Sequence, residues 1–283
     1  MGALIAVLQN DPNLLACQVA RLRGHVALAE GGRRPDDYGW GYHRAGEVLV
    51  GRRPTGTPAP LELPELLGAV AGEALLVRAQ ATASFPAKDE NTQPFRFRRW
   101  LFAHVGAVEA WPEVKPRLVA ALPDFLRRSI AGETDSEHLF MLFLSHLREA
   151  GALDDIDVAA DVAGHALART VRQVDAFCRE CGAKRQSVLD LATTNGRVLA
   201  ATRRGRPLHY ALLEGIVPCP RHGIDASTPD SDPGVRPHRR VKAVVFTTLL
   251  EDPNGFLEVP ESAVVAVERS LRVTVAPING HPV

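Results

Sequence analysis

The chain of 283 residues is poor in several things at once. It has 4 cysteines, 2 methionines, 3 tyrosines and 3 tryptophans, and aromatic residues make up 6% of it. Four cysteines in a chain this long do not suggest a disulfide-stapled secreted scaffold. It has no excess of either charge: Lys+Arg and Asp+Glu are both 33. That balance removes the electrostatic reason to expect nucleic acid or an anionic membrane as a partner. No apolar run approaches the ~18–20 residues that span a bilayer. The start, Met1 to Pro12, lacks a basic region and a small-residue cleavage site, and Ala6 stands where a myristoylation pattern needs Ser or Thr. These features read as a cytoplasmic protein.

What the chain does have is a full apolar complement, 46% hydrophobic against 23% charged, enough for a large core. Residues 3–8 form an apolar run typical of a strand buried on both faces. A helix is expected over Leu14 to Arg23. A glycine-punctuated loop is expected at Gly39-Trp40-Gly41, with Trp40 either lining a pocket or packed in the loop. Strands are expected at 48–51, 74–82 and 100–106, and 54–64 reads as a Pro-rich connection. Helices are expected over Pro116 to Ile130, after a Thr134/Glu137 capping box, and from Val158 to a stop near Gly182. Asn195-Gly196 marks a hairpin turn, and strands at 243–248, 263–267 and 271–276 close the chain. Residues 217–240 are a Pro-, Asp- and Gly-rich insertion without periodicity. This order predicts two sheets with helices outside them, in one domain over 1–283.

Six short stretches then stand out in order. The chain begins Met1-Gly2 and runs directly into the buried strand. Gly39-Trp40-Gly41, Arg78-Ala79-Gln80-Ala81-Thr82, Asn91-Thr92-Gln93-Pro94-Phe95, Phe102-Ala103-His104-Val105-Gly106 and Gly132-Glu133-Thr134-Asp135-Ser136-Glu137 follow. Together they resemble the class II glutamine amidotransferases, which are N-terminal-nucleophile hydrolases, and most of all the stand-alone kind such as the gamma-glutamyl amidohydrolase of ergothioneine synthesis. The resemblance covers nearly the whole chain and implies an α+β fold, a four-layer αββα sandwich. It implies a cysteine nucleophile, with its own α-amino group as base, at the position of Gly2. It implies an oxyanion-binding asparagine at Val105 and a backbone donor at Gly106. It also puts Arg78, Thr82 and Asp135 at substrate-binding positions, although the stretch from Arg78 to Thr82 is one residue longer than the family pattern.

Glycine has no nucleophile and valine has no amide, so the two departures fall in one reaction centre. The expectation is an amidotransferase-like protein without glutaminase activity that binds an amino acid or gamma-glutamyl compound or serves a synthetase as partner. A working glutamine or gamma-glutamyl amide hydrolase would need cysteine at position 2 or attack by water. A purely structural subunit of a synthetase is the third reading. No cofactor is required. A structural zinc is suggested by spacing alone: Cys178-x-x-Cys181 and Cys219-x-x-His222 have the right ligand types. Cys178 equally continues the apolar face of Val171 and Val174, and Cys17 reads as core. Arg96, Arg98 and Arg99, interleaved with Phe95, Phe97 and Trp100, read as a solvated face.

Overall fold

The computed structural model describes residues 2–28, 35–54, 67–68, 70–80 and 85–280. The apolar N-terminal run is strand β1, Gly2–Gln9. It pairs antiparallel with β4, Ala74–Gln80, on one side and with β10, Lys242–Thr247, on the other. Together with β2 (Asp37–Arg44), β3 (Glu47–Arg53), β9 (His209–Glu214) and β11 (Leu257–Glu258) they form a seven-stranded sheet, in the order β11-β9-β10-β1-β4-β2-β3. The second sheet has six strands in the order β13-β12-β8-β7-β6-β5. They are β5 (Phe95–Phe97), β6 (Trp100–Ala107), β7 (Val188–Thr194), β8 (Leu199–Arg203), β12 (Ala263–Val267) and β13 (Val273–Pro277).

Alternation along the strands builds three apolar layers. Leu4, Ala6 and Leu8 of β1 face Leu101, Ala103 and Val105 of β6 between the sheets. Ala3, Ile5 and Val7 point the other way, onto Leu15 and Val19 of helix α1, Leu15–Arg21. On the far side, Trp100 and Phe102 of β6 meet Phe140 and Phe143 of α4, Asp135–Glu149; Phe102 stacks on Phe140 with ring centres 5.1 Å apart. The other helix over this sheet is α5, Ala160–Glu180. Each fully buried Ile, Leu or Phe in these layers contributes about 1.5–3 kcal/mol. The expected four-layer αββα sandwich is the observed fold. No helix among the described residues is long and apolar enough to cross a membrane.

Several local expectations change. Gly39-Trp40-Gly41 is the middle of β2, not a loop. Its inner face comes too close to the second sheet for side chains: a Cβ on Gly41 would meet Leu101 at 2.8 Å, and one on Gly39 would strike the Gln93 carbonyl. The helix expected over 116–130 is two helices, α2 (Trp111–Ala121) and α3 (Asp124–Arg127). Pro123 forces its predecessor Leu122 into extended backbone and ends the first. The Thr134 cap holds, with its hydroxyl accepting from the Glu137 amide at 3.1 Å. Glu137 reaches back past it, to the amides of Ala131 at 2.9 Å and Gly132 at 2.7 Å. Strand β9 is absent from the expectation, because Tyr210, Leu212 and Glu214 blur its alternation. The insertion carries a short 3-10 turn at Pro220–His222 and helix α6, Val235–Arg240. Of the Pro-rich connection expected at 54–64, residues 55–64 lie outside the described residues.

Candidate functional site

The antiparallel register brings three strand ends together. Gly2 at the start of β1 lies opposite Gln80 at the end of β4, and Gln80 lies opposite Asp37 at the start of β2. Gly2, Arg78, Gln80 and Asp37 all share the inner-face parity of Leu4 and Leu76. Across the gap stand His104 to Gly106 of β6 and the first turn of α4.

Arg78 occupies the centre, buried, and every donor nitrogen of its guanidinium is engaged. Nε donates to the His104 carbonyl at 2.8 Å, Nη2 to Gln80 Oε1 at 3.1 Å, and Nη1 to the carbonyls of Ala3 at 3.4 Å and of Ala79. Gln80 passes the link on, donating to Asp37 Oδ2 at 3.1 Å. Burial pushes Arg78 down to about 10, and Asp37 is the main group that offsets this. It remains a cation at neutral pH. Burial raises Asp37 in turn, against hydrogen bonds from Thr92 and Gln80 and the charge of Arg78.

This arginine fills the space a side chain at position 2 would need. A Cβ built on Gly2 would lie 2.8 Å from Arg78 Cζ, 2.6 Å from the Ala79 carbonyl oxygen, and closer still to Arg78 Nη1. Val105, the expected oxyanion position, is a fully packed member of the core between the sheets. Gly106 does sit where only glycine fits: its φ is 140° and a Cβ would lie 2.6 Å from the Val188 carbonyl carbon.

Around this centre lies a buried polar network that the sequence reading did not assign to the site. Gln93 clamps the backbone of His104, accepting from its amide at 2.6 Å and donating to its carbonyl at 3.2 Å. The His104 ring spans Ser136 Oγ, 2.9 Å from Nδ1, and the Val188 carbonyl, 2.9 Å from Nε2. A carbonyl only accepts, so Nε2 carries the proton and Nδ1 accepts from the serine hydroxyl. Burial lowers the His104 pKa, consistent with a neutral ring. Gln93 and Ser136 both lie inside quoted motifs, so the signal for them was present. Gln80 lies inside one too, while Asp37 had no signal beyond its nearness to the Gly-Trp-Gly stretch.

Arg78 and Asp135, the expected substrate clamp, both line the same cavity but form no ion pair with each other. Asp135 instead accepts from the amides of Val108 at 2.9 Å and Ser136 at 2.7 Å. The cavity they share with Asp37, Gln80 and Gln93 is about 50 Å³, room for a few waters and far below the ~300 Å³ of ordinary small-molecule sites. No cysteine lines it. Thr82 lies outside the described residues. Trp40 does not line the cavity: it lies over Gly51 on the outer face, stacked on Tyr38 at 6.4 Å, with Arg53 over its ring at 5.6 Å. Arg96, Arg98 and Arg99 are exposed, as expected of a solvated face; Arg96 also donates to the Val48 carbonyl at 2.9 Å and Arg98 pairs with Asp154. A larger cleft of about 970 Å³ runs between α1 and residues 214–221 and shares no lining residue with the Arg78 cavity.

The four expected zinc ligands do not come together. Cys178 lies in the helix-side core, its Sγ 3.4 Å from the Glu109 carbonyl and 3.3 Å from Ser187 Oγ, and Cys181 packs beside that core. The apolar face of α5 set that position, as for any small hydrophobe. Cys219 and His222 instead meet Cys17 and His238, beyond the opposite sheet.

The family model of the class II glutamine amidotransferases matches residues 2–215. No curated protein sequence matches the chain. Among solved structures, a glutamine aminotransferase class-II domain protein from Silicibacter pomeroyi is similar over 99% of this chain and 100% of its own, with TM-score 0.59 and 18% identity. A predicted glutamine amidotransferase from Pseudomonas aeruginosa is similar over 96% of this chain and 99% of its own, with TM-score 0.58 and 17% identity. The glutamine phosphoribosylpyrophosphate amidotransferase of Bacillus subtilis is similar over 99% of this chain and 50% of its own, with TM-score 0.54 and 12% identity. These likenesses carry the sandwich fold, and the family match carries the rest: the chain belongs to the class II glutamine amidotransferases.

Proposed function

We propose that this protein keeps the amidotransferase fold without glutaminase activity and serves as a non-catalytic partner protein. The observation that carries this is the seating of the Arg78 guanidinium in the side-chain space of Gly2. A nucleophile there would need both a cysteine and an arginine held elsewhere. Val105 supports the same reading, because an apolar side chain packed between the sheets offers no donor to a developing oxyanion. A donor of that kind is typically worth ~10²–10³ in rate.

A second reading, binding of an amino acid at the same place, is favoured by the convergence of Arg78, Asp37 and Asp135 on one cavity. It requires Arg78 to swing off Gly2 and offer its fork to a carboxylate. Calorimetric titration with glutamine, glutamate and gamma-glutamyl compounds separates the two. The closed arrangement gives no heat of binding at ~10 mM ligand. Binding at ~10⁻⁵–10⁻³ M that Arg78→Ala abolishes would establish the second reading instead.

A further inference from the structure

We propose that Cys17, Cys219, His222 and His238 form a structural zinc site that fastens the 216–241 segment to helix α1. One ligand atom from each of the four lies within 4.8 Å of every other. His222 Nδ1 is 3.3 Å from Cys17 Sγ, 3.5 Å from Cys219 Sγ and 3.0 Å from His238 Nε2. A tetrahedron with Zn–S of ~2.3 Å and Zn–N of ~2.0–2.1 Å has S–N edges of about 3.5 Å and an N–N edge of about 3.3 Å. The three observed edges differ from these by a few tenths of an ångström. Two sulfurs and two imidazole nitrogens are the donor set that selects zinc in a four-coordinate, closed site.

The surroundings fit the same purpose. His238 Nδ1 lies 2.7 Å from the Gly234 carbonyl, which fixes its proton there and leaves the Nε2 lone pair for the metal. The Cys219–Ile224 turn closes on itself: the Cys219 amide donates to the Ile224 carbonyl at 2.7 Å and the His222 amide to the Cys219 carbonyl at 3.1 Å. Gly223 takes the left-handed conformation that turn requires, with φ of 64°, and puts Cys219 and His222 on one side. Cys17, Cys219 and His238 are buried, while His222 is exposed. Bound to zinc, the two sulfurs would be thiolates, and their charge would neutralise that of the ion.

There is also a structural need. Beyond β9 the chain runs through 216–241 with only a 3-10 turn and the six-residue α6 for regular structure. Its apolar support is thin, chiefly Leu14, Ile216, Ile224, Val235 and Val241 besides the two cysteines. A metal held only by the folded arrangement would add its binding free energy to the ordering of this segment. The cleft beside α1, which Cys17 and Cys219 border, gives an ion its way in.

The test uses the full chain purified reduced, without a histidine tag, and then reconstituted with zinc. Metal analysis is expected to find close to one zinc per chain, and X-ray absorption two sulfurs at ~2.3 Å and two nitrogens at ~2.0–2.1 Å. Cys17→Ser and His238→Ala lose the metal, while Cys178→Ser and Cys181→Ser keep it. Should the Cys17 or His238 variants fail to fold, the cobalt-substituted wild type reports the ligand set independently, through tetrahedral d–d bands and two-thiolate charge transfer. Only trace zinc after reconstitution, a sulfur count other than two, or metal lost with Cys178→Ser overturns the proposal.

Discussion

Gly2→Ala adds one methyl group and no chemistry, so it isolates the claim that Arg78 has taken the side-chain space of residue 2. The new Cβ would sit 2.6 Å from the Ala79 carbonyl oxygen and 2.8 Å from Arg78 Cζ, both well inside contact distance. The guanidinium must rotate away, stretching or breaking its bonds to the His104 carbonyl at 2.8 Å and Gln80 at 3.1 Å. Hydrogen bonds from a charged donor are worth about 1.5–3 kcal/mol each, and overpacking costs a similar amount, so Gly2→Ala should destabilise by about 2–4 kcal/mol. Arg78→Ala has its own cost, about 2–3 kcal/mol, because buried acceptors and Asp37 lose their partner. In the double variant the methyl enters vacated space, so the double cost should fall short of the sum by about 1–2 kcal/mol. It does not vanish, since the Ala79 carbonyl stays where it is. Urea unfolding of the four proteins at pH 7 gives all the terms. A Gly2→Ala protein within about 0.5 kcal/mol of wild type, or strictly additive costs, would refute the reasoning.

Gly2→Cys alone should gain no measurable glutaminase activity, whereas Gly2→Cys with Val105→Asn should exceed the product of the single effects, because nucleophile and oxyanion donor act as a unit; steady-state ammonia release checks this. Thr134→Ala should cost about 1 kcal/mol by removing the cap of α4, read by thermal unfolding. His146 has a side chain only 3% exposed, and burial, with Arg169 nearby, pushes it down to about 4. Its folded pKa lies below the unfolded ~6.5, so its contribution is present above that value and is lost as pH falls towards 4. Between pH 7 and pH 5 that loss is on the order of 2 kcal/mol, and His146→Leu should shrink the measured pH 7–5 stability difference by that much.

The sheet-and-helix plan was legible because its signals are local. The run from Ala3 to Leu8, the Thr134 cap and the stop at Gly182 each act within a few residues, and each appears where expected. Motif order added which layers face each other. The sequence-level error of greatest consequence is a failure of distance. Zinc spacing paired Cys178 with Cys219 by type, yet α5 points Cys178 into the helix-side core, while Cys17, two hundred residues from Cys219, is the thiol that meets it. The Arg78 and Asp135 positions were read from motif order, and both do line one cavity; what motif order does not carry is the arginine folded onto Gly2 and the aspartate engaged with backbone amides. Gly39 and Gly41 read as loop residues because glycine has two uses, turns and close approach, and a sequence does not distinguish them.

The most direct measurement is ammonia release from glutamine and from gamma-glutamyl amides by the chain with glycine at position 2 and Arg78 over it. The account predicts no release above a heat-denatured control from pH 6 to pH 9, a range spanning the ~8 of an α-amino base. Turnover in the ordinary enzymatic range of ~1–10³ s⁻¹ that tracks with the folded protein would contradict it.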